Sequence, residues 1–451
     1  MDIINRKKAL VEEFSPMLEK YSKLTKLWIA FLVAVIIVGM VAFVLQVVYG
    51  HEITGMRDNV VWGIYIINFI FFVGISYSGA FISGILHFFK TPWKNSISRI
   101  VEIMTVIAMV IGPVFILLCI GRLDRLHYLF IYPRIQSPIT WDIIAVMTDL
   151  IACFLYLYLT FIPDLAILRD NSENLNLPKW QKKMYKFLAI RYQDTPSQRH
   201  RLHKITRTMS TIVIVLAIVA YSVLAWIFSL TLQPGWNSTI FAPNFIIAGL
   251  YSGISVIIIS MYFIRRQFKL EHYIFQKHFV IAGIILQILA LLFGYFTFTD
   301  YFSKWFSTKI DDTILLNSLF SRYFIEFILA NYIGILVPVL VIFFKKLRTV
   351  KMITFAAVIA LLGLWLNRYL LVVPSLENPF LPIQETGPEY IHYSATWIEY
   401  SLSFTGIAAF LLIFTLLAKF VPIIPMSGII ENEEFKAKRI QKKDSPDEFD
   451  I

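Results

Sequence analysis

Stretches of about twenty apolar residues, parted by short charged or Pro/Gly-rich breaks, recur along almost the whole chain. A helix of that length crosses a ~30 Å hydrocarbon layer while satisfying its own backbone hydrogen bonds. The breaks predict ten spans, near 27–49, 60–88, 97–120, 139–165, 208–232, 243–264, 279–297, 322–344, 352–373 and 397–420. The fold class expected is an all-α polytopic membrane protein with ten transmembrane helices. Ahead of the first span, Leu10, Phe14, Leu18 and Tyr21 recur at helical spacing between Lys and Glu, the pattern of an amphipathic helix lying on a membrane surface.

Composition sharpens this picture. The 451 residues are 58% hydrophobic and 16% charged, where a soluble domain carries about 25% charged residues. Charge then orients the spans, because cytoplasmic loops hold the excess of Lys and Arg. With the N-terminus inside, the inner segments hold 33 of the 41 Lys and Arg and the outer loops 6, with Arg322 and Arg368 left inside spans. Both termini are therefore expected on the cytoplasmic side. The net charge of +11 sits in short loops, so it excludes nucleic acid as a partner and leaves the lipid bilayer. The first 26 residues mix six Lys/Arg with three Glu and lack an apolar core with a cleavage site, so no cleaved signal peptide is expected. Cys119 and Cys153 both lie in apolar runs, and no CxxC or Cys/His cluster exists to bind intrinsic haem, an iron–sulfur cluster or a metal. Any electron carrier must come from a partner.

Five segments carry a family likeness: WGIYIINFIFFVGISYSGAFISGIL from Trp62 to Leu86; Gly121-Arg122; TWDIIAVMTDL at 140–150 leading to FIPDLAILRD at 161–170; PGWNSTIFAPNFIIAGLYSG at 234–253; and NRYLLVVPSL at 367–376 with TWIEYSLSF at 396–404 and FVPIIP at 420–425. In this order the chain resembles the NrfD-like family of quinone-interacting membrane subunits (the polysulfide reductase membrane subunit), most closely the ten-helix, quinol-oxidising members of alternative complex III. The resemblance implies two pseudo-symmetric four-helix bundles, spans two to five and six to nine, flanked by one helix at each end. It implies a bacterial inner membrane, a quinone (menaquinone or ubiquinone) near the periplasmic face of the first bundle, and a partner iron–sulfur subunit on that side. Cytochrome c subunits and a second NrfD-like membrane subunit are the further partners implied. Where such relatives resemble a His-x-Gly-Arg arrangement this chain has Cys119-Ile120-Gly121-Arg122, and where a second-span His is expected it has Tyr77.

Carboxylates inside a span are costly and so mark candidate sites. Asp142 and Asp149 are seven residues apart, two turns on one helical face, about 10 Å along the axis. Quinone chemistry exchanges protons with electrons, which calls for a proton acceptor and hydrogen-bonding groups at the ring oxygens. Asp142 fits the acceptor, with Arg122 to stabilise charge, Tyr77 to donate a hydrogen bond, and Cys119 and Trp141 as neighbours. The bland readings are an N-terminal helix residue for Asp142, interfacial snorkelling for Arg122, core packing for Tyr77 and a buried small hydrophobe for Cys119. Asp142, Asp149, Glu102 and Asp164 together suggest a proton path. Arg322 and Glu326 are expected to pair, and Glu399, Arg368 and Asn331 to knit spans eight to ten.

The domain organisation expected is a cytoplasmic amphipathic segment (1–26), a first transmembrane helix and loop (27–59), a first bundle (60–232), a second bundle (233–373), a periplasmic loop and tenth helix (374–420) and a cytoplasmic tail (421–451). Three functions stay open: a respiratory quinone/quinol oxidoreductase subunit, with proton translocation as a further expectation; a quinone-inactive structural or proton-conducting NrfD-like subunit; and a secondary transporter. The charge asymmetry has a direct test. A cysteine replacing Lys186 should react with an impermeant maleimide only from the cytoplasmic side, and one replacing Arg57 only from the outside.

Overall fold

The computed structural model describes residues 3–19, 21–88, 94–380, 392–431 and 433. All ten predicted spans are present and in order: Lys23–Ile53, Gly63–Phe88, Ile97–Cys119, Pro138–Asp170, Pro196–Ser229, Phe241–Gln267, Gln276–Ser307, Phe324–Phe343, Val350–Glu377 and Trp397–Phe420. No strand occurs among the described residues. Three spans outrun their apolar cores. The fifth starts at Pro196, where Thr195 caps the helix by accepting from Gln198 N and Pro196 occupies the first turn; its early turns are basic, so an apolar-run reading begins late. The fourth continues to Asp170 and the seventh to Ser307 because Asp164 and Asp300, the polar residues that interrupt their hydrophobic pattern, are each paired, with Arg99 and Lys304.

Packing divides the spans as expected. Within the first bundle, spans two, three, four and five contact one another in a ring, and spans six to nine repeat that ring. Span two packs centrally against span six; span two also touches span nine, and span six touches span five, as a two-fold axis along the spans demands. The sequence carries the same symmetry. Trp62, Phe71, Tyr77, Ser78 and Gly79 recur at identical spacing as Trp236, Phe245, Tyr251, Ser252 and Gly253. The two indoles stack at 6.4 Å with planes 4° apart. Small residues permit the central crossing: a Cβ on Gly253 would overlap Ser78 Oγ, and Gly74 faces the Cα of Gly249. The two terminal spans pack against each other, and the tenth seats the pair on the first bundle.

The amphipathic segment forms a helix, Ile3–Glu19, but its apolar face is not laid on lipid. Leu10, Val11, Phe14, Met17 and Leu18 are buried in the protein core, because polar contacts pull the helix onto the loops beneath the bundles. Glu13 accepts from Tyr273, Glu19 from Asn176 N, and the Met17 carbonyl from Lys419. Lys7 and Arg199 both bond Asp194, at 2.8 and 2.9 Å. Arg6 meets Glu433, so both terminal regions share the face that carries the basic loops, hereafter the basic face.

Two outcomes follow from this packing. A Cβ on Gly363 would lie 2.7 Å from the Gly334 Cα, which is backbone and cannot rotate away. Gly363→Ala should therefore lower the unfolding free energy by about 1–3 kcal/mol, read as a shifted melting curve of the purified protein, and Gly253→Ala by a similar amount, because the Ser78 hydroxyl can swing aside but its Cβ, at 2.5 Å, cannot. Burial opposes ionisation of Asp194, but its bonds to Arg199 and Lys7 outweigh that and hold its pKa below the usual carboxylate value. A depressed folded pKa means stabilisation that is complete above about 3.9, the unfolded value, and is lost as pH falls through the folded value. Limited proteolysis should release the N-terminal helix in that acid range, and Asp194→Asn should loosen it already at neutral pH.

Candidate functional site

The fourth span sets the polar interior of the first bundle. Asp142, Asp149, Cys153, Tyr156, Thr160 and Asp164 fall on one helical face, while Ile144 and Ile151 on the opposite face are exposed towards lipid. Asp142 is 5% exposed and Asp149 fully buried. One carboxylate oxygen of each has no hydrogen-bond partner, and the hydroxyl of buried Tyr77 has none either. Asp149 keeps only the Cys153 thiol, at 3.6 Å from its second oxygen. Tyr77 lies within electrostatic reach of Asp142, Asp149 and Cys153, so these unpartnered groups form one cluster. Buried polar groups are usually satisfied, so these orphans call for a partner the protein itself does not supply, such as a ligand or water.

The symmetry supplies a control. Tyr251, which holds Tyr77's place in the second bundle, donates to the Gly334 carbonyl at 2.7 Å. That carbonyl follows the π-helical segment Leu329–Ile333, where the ladder is loosened. Asp300 of the seventh span also has an orphan oxygen, but Lys304 takes its other one.

Nearer the basic face, Glu102 of the third span is enclosed by donors. Thr160 Oγ1 lies at 2.6 Å, Ser83 Oγ at 3.2 Å and His87 Nε2 at 3.0 Å. Ser83 is also 3.4 Å from the Tyr156 hydroxyl. A void too tight for water is bordered by Ser83, Glu102, Cys153 and Tyr156, and of these Cys153 bonds Asp149. Asp164 is held differently, accepting from Arg99 at 2.8 Å and from Ser427 N at 2.8 Å.

The other expected residues lie apart from this cluster. Arg122 is exposed at the start of the short turn Leu123–Arg125. Trp141 points to the surface, its indole bonded to the Ile135 carbonyl. Cys119 is half-buried, its thiol at 3.3 Å from the Phe115 carbonyl and 3.7 Å from that of Trp62. Beside it the His51 ring packs against Gly121. Arg368 does not join Glu399: it stacks on Phe245 at 4.2 Å and bonds Tyr221 of the first bundle, whose ring is 5.4 Å from Tyr77. Glu399 instead caps its own helix and accepts from Gly55 N, Asn331 accepts from Asn367, and Arg322 lies over Tyr323 with no ion pair to Glu326 among the described residues. Sequence reading missed His87, Ser83 and Tyr156, although Tyr156 continues the helical periodicity of Asp142 and Asp149, and His87 stands one turn after Ser83.

Similar proteins share this architecture's sequence. A putative dimethyl sulfoxide reductase membrane subunit of Halobacterium salinarum is 28% identical over 54% of this chain and 53% of its own length, so the chain spans about half of that relative. A selenate reductase subunit of Mesobacillus selenatarsenatis is 20% identical over 89% of this chain and 95% of its own. An Hdr-like menaquinol oxidoreductase integral membrane subunit of Archaeoglobus fulgidus is 23% identical over 89% and 94%. Residues 52–378, both four-helix bundles, match the family described as polysulphide reductase, NrfD, and the chain belongs to that family.

Proposed function

We infer that this chain is the membrane subunit of a quinone-linked oxidoreductase complex and that the first bundle is where quinone is handled. The observation carrying this is the set of Tyr77, Asp142 and Asp149, each buried with one polar atom unpartnered, where the symmetric Tyr251 is satisfied within the protein. Two carboxyls and a phenol offer the donor and acceptor that the two oxygens of a quinone ring require. A quinone, when bound, carries two electrons and two protons. The fourth span is open to lipid on one face and bears the carboxyls on the other, which suits a substrate arriving from the membrane. Asp142, in the first turns of the span and towards the face opposite the basic loops, takes or gives the proton; Tyr77 orients a ring oxygen. Arg122 and Trp141, at the surface on the same side, suit the rim of a lipid-side opening, and Cys119 lines the neighbouring helix end.

With no ligand cluster of its own in the sequence, the chain hands electrons to a partner. The site's position favours an iron–sulfur subunit docked on the face opposite the basic loops, with cytochrome c subunits and a second NrfD-like membrane subunit beyond it. The relatives' names, as subunits of reductases and of a menaquinol oxidoreductase, support a complex of this kind. With the basic loops in the cytoplasm, the site faces the periplasm of a bacterial inner membrane. Protons would move between Asp142, Asp149 and Glu102, with Asp164, held by Arg99 and Ser427 N, positioning the groups beside that line.

The complex isolated with its partners should oxidise a short-chain menaquinol with ferricyanide as acceptor. Asp142→Asn should slow this turnover by about 10²–10⁴-fold and Tyr77→Phe by roughly tenfold, with the complex still assembled on gel filtration. Unchanged turnover in Asp142→Asn would move the quinone reaction to another subunit.

A further inference from the structure

On the basic face a cavity of about 120 Å³ enters the first bundle between the N-terminal helix, spans three, four and five, and residues 425–431. That volume holds several waters. Its mouth is wet, with His203 and Glu431 more than half exposed and 3.8 Å apart, and its floor is the His87–Glu102 pair, where the Glu102 side chain is 1% exposed. Along its wall the Arg99 side chain is 2% exposed and its Nη1 has no protein partner, although Nη2 bonds Asp164 and the Thr160 carbonyl. A buried guanidinium nitrogen left over in the wall of such a cavity is satisfied by water in it.

We propose that this vestibule is the proton port of the first bundle, with His87 passing protons between its water and Glu102. The proposal rests on the quinone reading above and adds the port and its residues. His87 and Glu102 are already hydrogen bonded at 3.0 Å, so a proton taken up by the imidazole is one transfer from the carboxylate. From Glu102 the Ser83 hydroxyl leads to Tyr156, Tyr156 and Cys153 border the dry gap, and the Cys153 thiol bonds Asp149. No water fits that gap, so hydroxyl and thiol groups must carry the proton across it. The charged groups around the vestibule are Lys7, Arg99, Asp194, Arg199, His203 and Glu431. Asp194 takes both Lys7 and Arg199, and Asp164 takes Arg99; below the exposed His203–Glu431 pair at the mouth, the His87–Glu102 pair is the exchangeable one at the floor. Asp164, with both oxygens held, clamps Arg99 and Ser427 and so fixes the wall.

The test uses the intact complex, the short-chain menaquinol and ferricyanide. Glu102→Gln should slow turnover by about a hundredfold. His87→Ala should slow it and displace its pH profile, and added imidazole, small enough for the vestibule, should restore both. Thr206→Trp, which fills the cavity while leaving every relay group in place, should slow turnover as Glu102→Gln does. Wild-type rates and pH profiles in Glu102→Gln and Thr206→Trp, with Asp142→Asn inactive, would overturn the port and leave the quinone site standing. A slowed His87→Ala that imidazole does not restore would reduce His87 to a structural residue and remove it from the relay. An active Asp142→Asn would overturn the quinone site, and the port with it.

Discussion

Hydrocarbon offers no hydrogen bonds, so every polar group that a ten-span protein buries must find its partner inside the protein. Most of this chain obeys that constraint. Glu399 bonds its own cap and the Gly55 amide, Asp164 takes Arg99 and the Ser427 amide, and Tyr251 takes the Gly334 carbonyl. Against such accounting, the exceptions stand out. Asp142, Asp149 and Tyr77 lie on the inner faces of two spans that stand across the ring of the first bundle from each other, each with an atom left over.

Symmetry explains how such an exception is tolerated. Two bundles of one plan meet along spans two and six, where Gly74, Gly249 and Gly253 let the helices close and the paired indoles of Trp62 and Trp236 stack at one end. A bundle that only needed to be stable would keep the satisfied arrangement around Tyr251. Both halves leave buried polar atoms over, those of Thr297, Asp300 and Asn331 in the second among them, and the interface between halves offsets the cost in stability of keeping carboxyls where packing alone would place apolar groups.

Much of this is legible from the chain. The number, order and rough limits of the spans follow from apolar runs, since the 30 Å layer leaves few other lengths. The fourth-span carboxyls are legible for the same reason, a polar residue standing out where none is expected. The missed residues are those whose meaning depends on contact across helices. Nothing local to His87 says that Glu102 faces it, and nothing around Arg368 says that it turns from its own bundle towards Tyr221. The N-terminal helix is amphipathic by its spacing alone, but periodicity cannot tell a lipid surface from a protein surface; Lys7, Glu13 and Glu19, which look like a solvated face, are what dock it to the loops.

Arg368 bears on how the two halves act together. A guanidinium inside the membrane is normally matched by a carboxylate, yet this one rests on the Phe245 ring and the Tyr221 hydroxyl, with no ion pair among the described residues. Tyr221 packs on Tyr77, so the positive charge stands behind the aromatic wall of the first bundle and does not touch its carboxyls. A direct bond to Asp142 or Asp149 would fix that carboxyl in its charged form, against the proton exchange proposed for it. Held one layer back, the charge leaves the oxygens of both carboxyls free, an arrangement that suits the proposed quinone site.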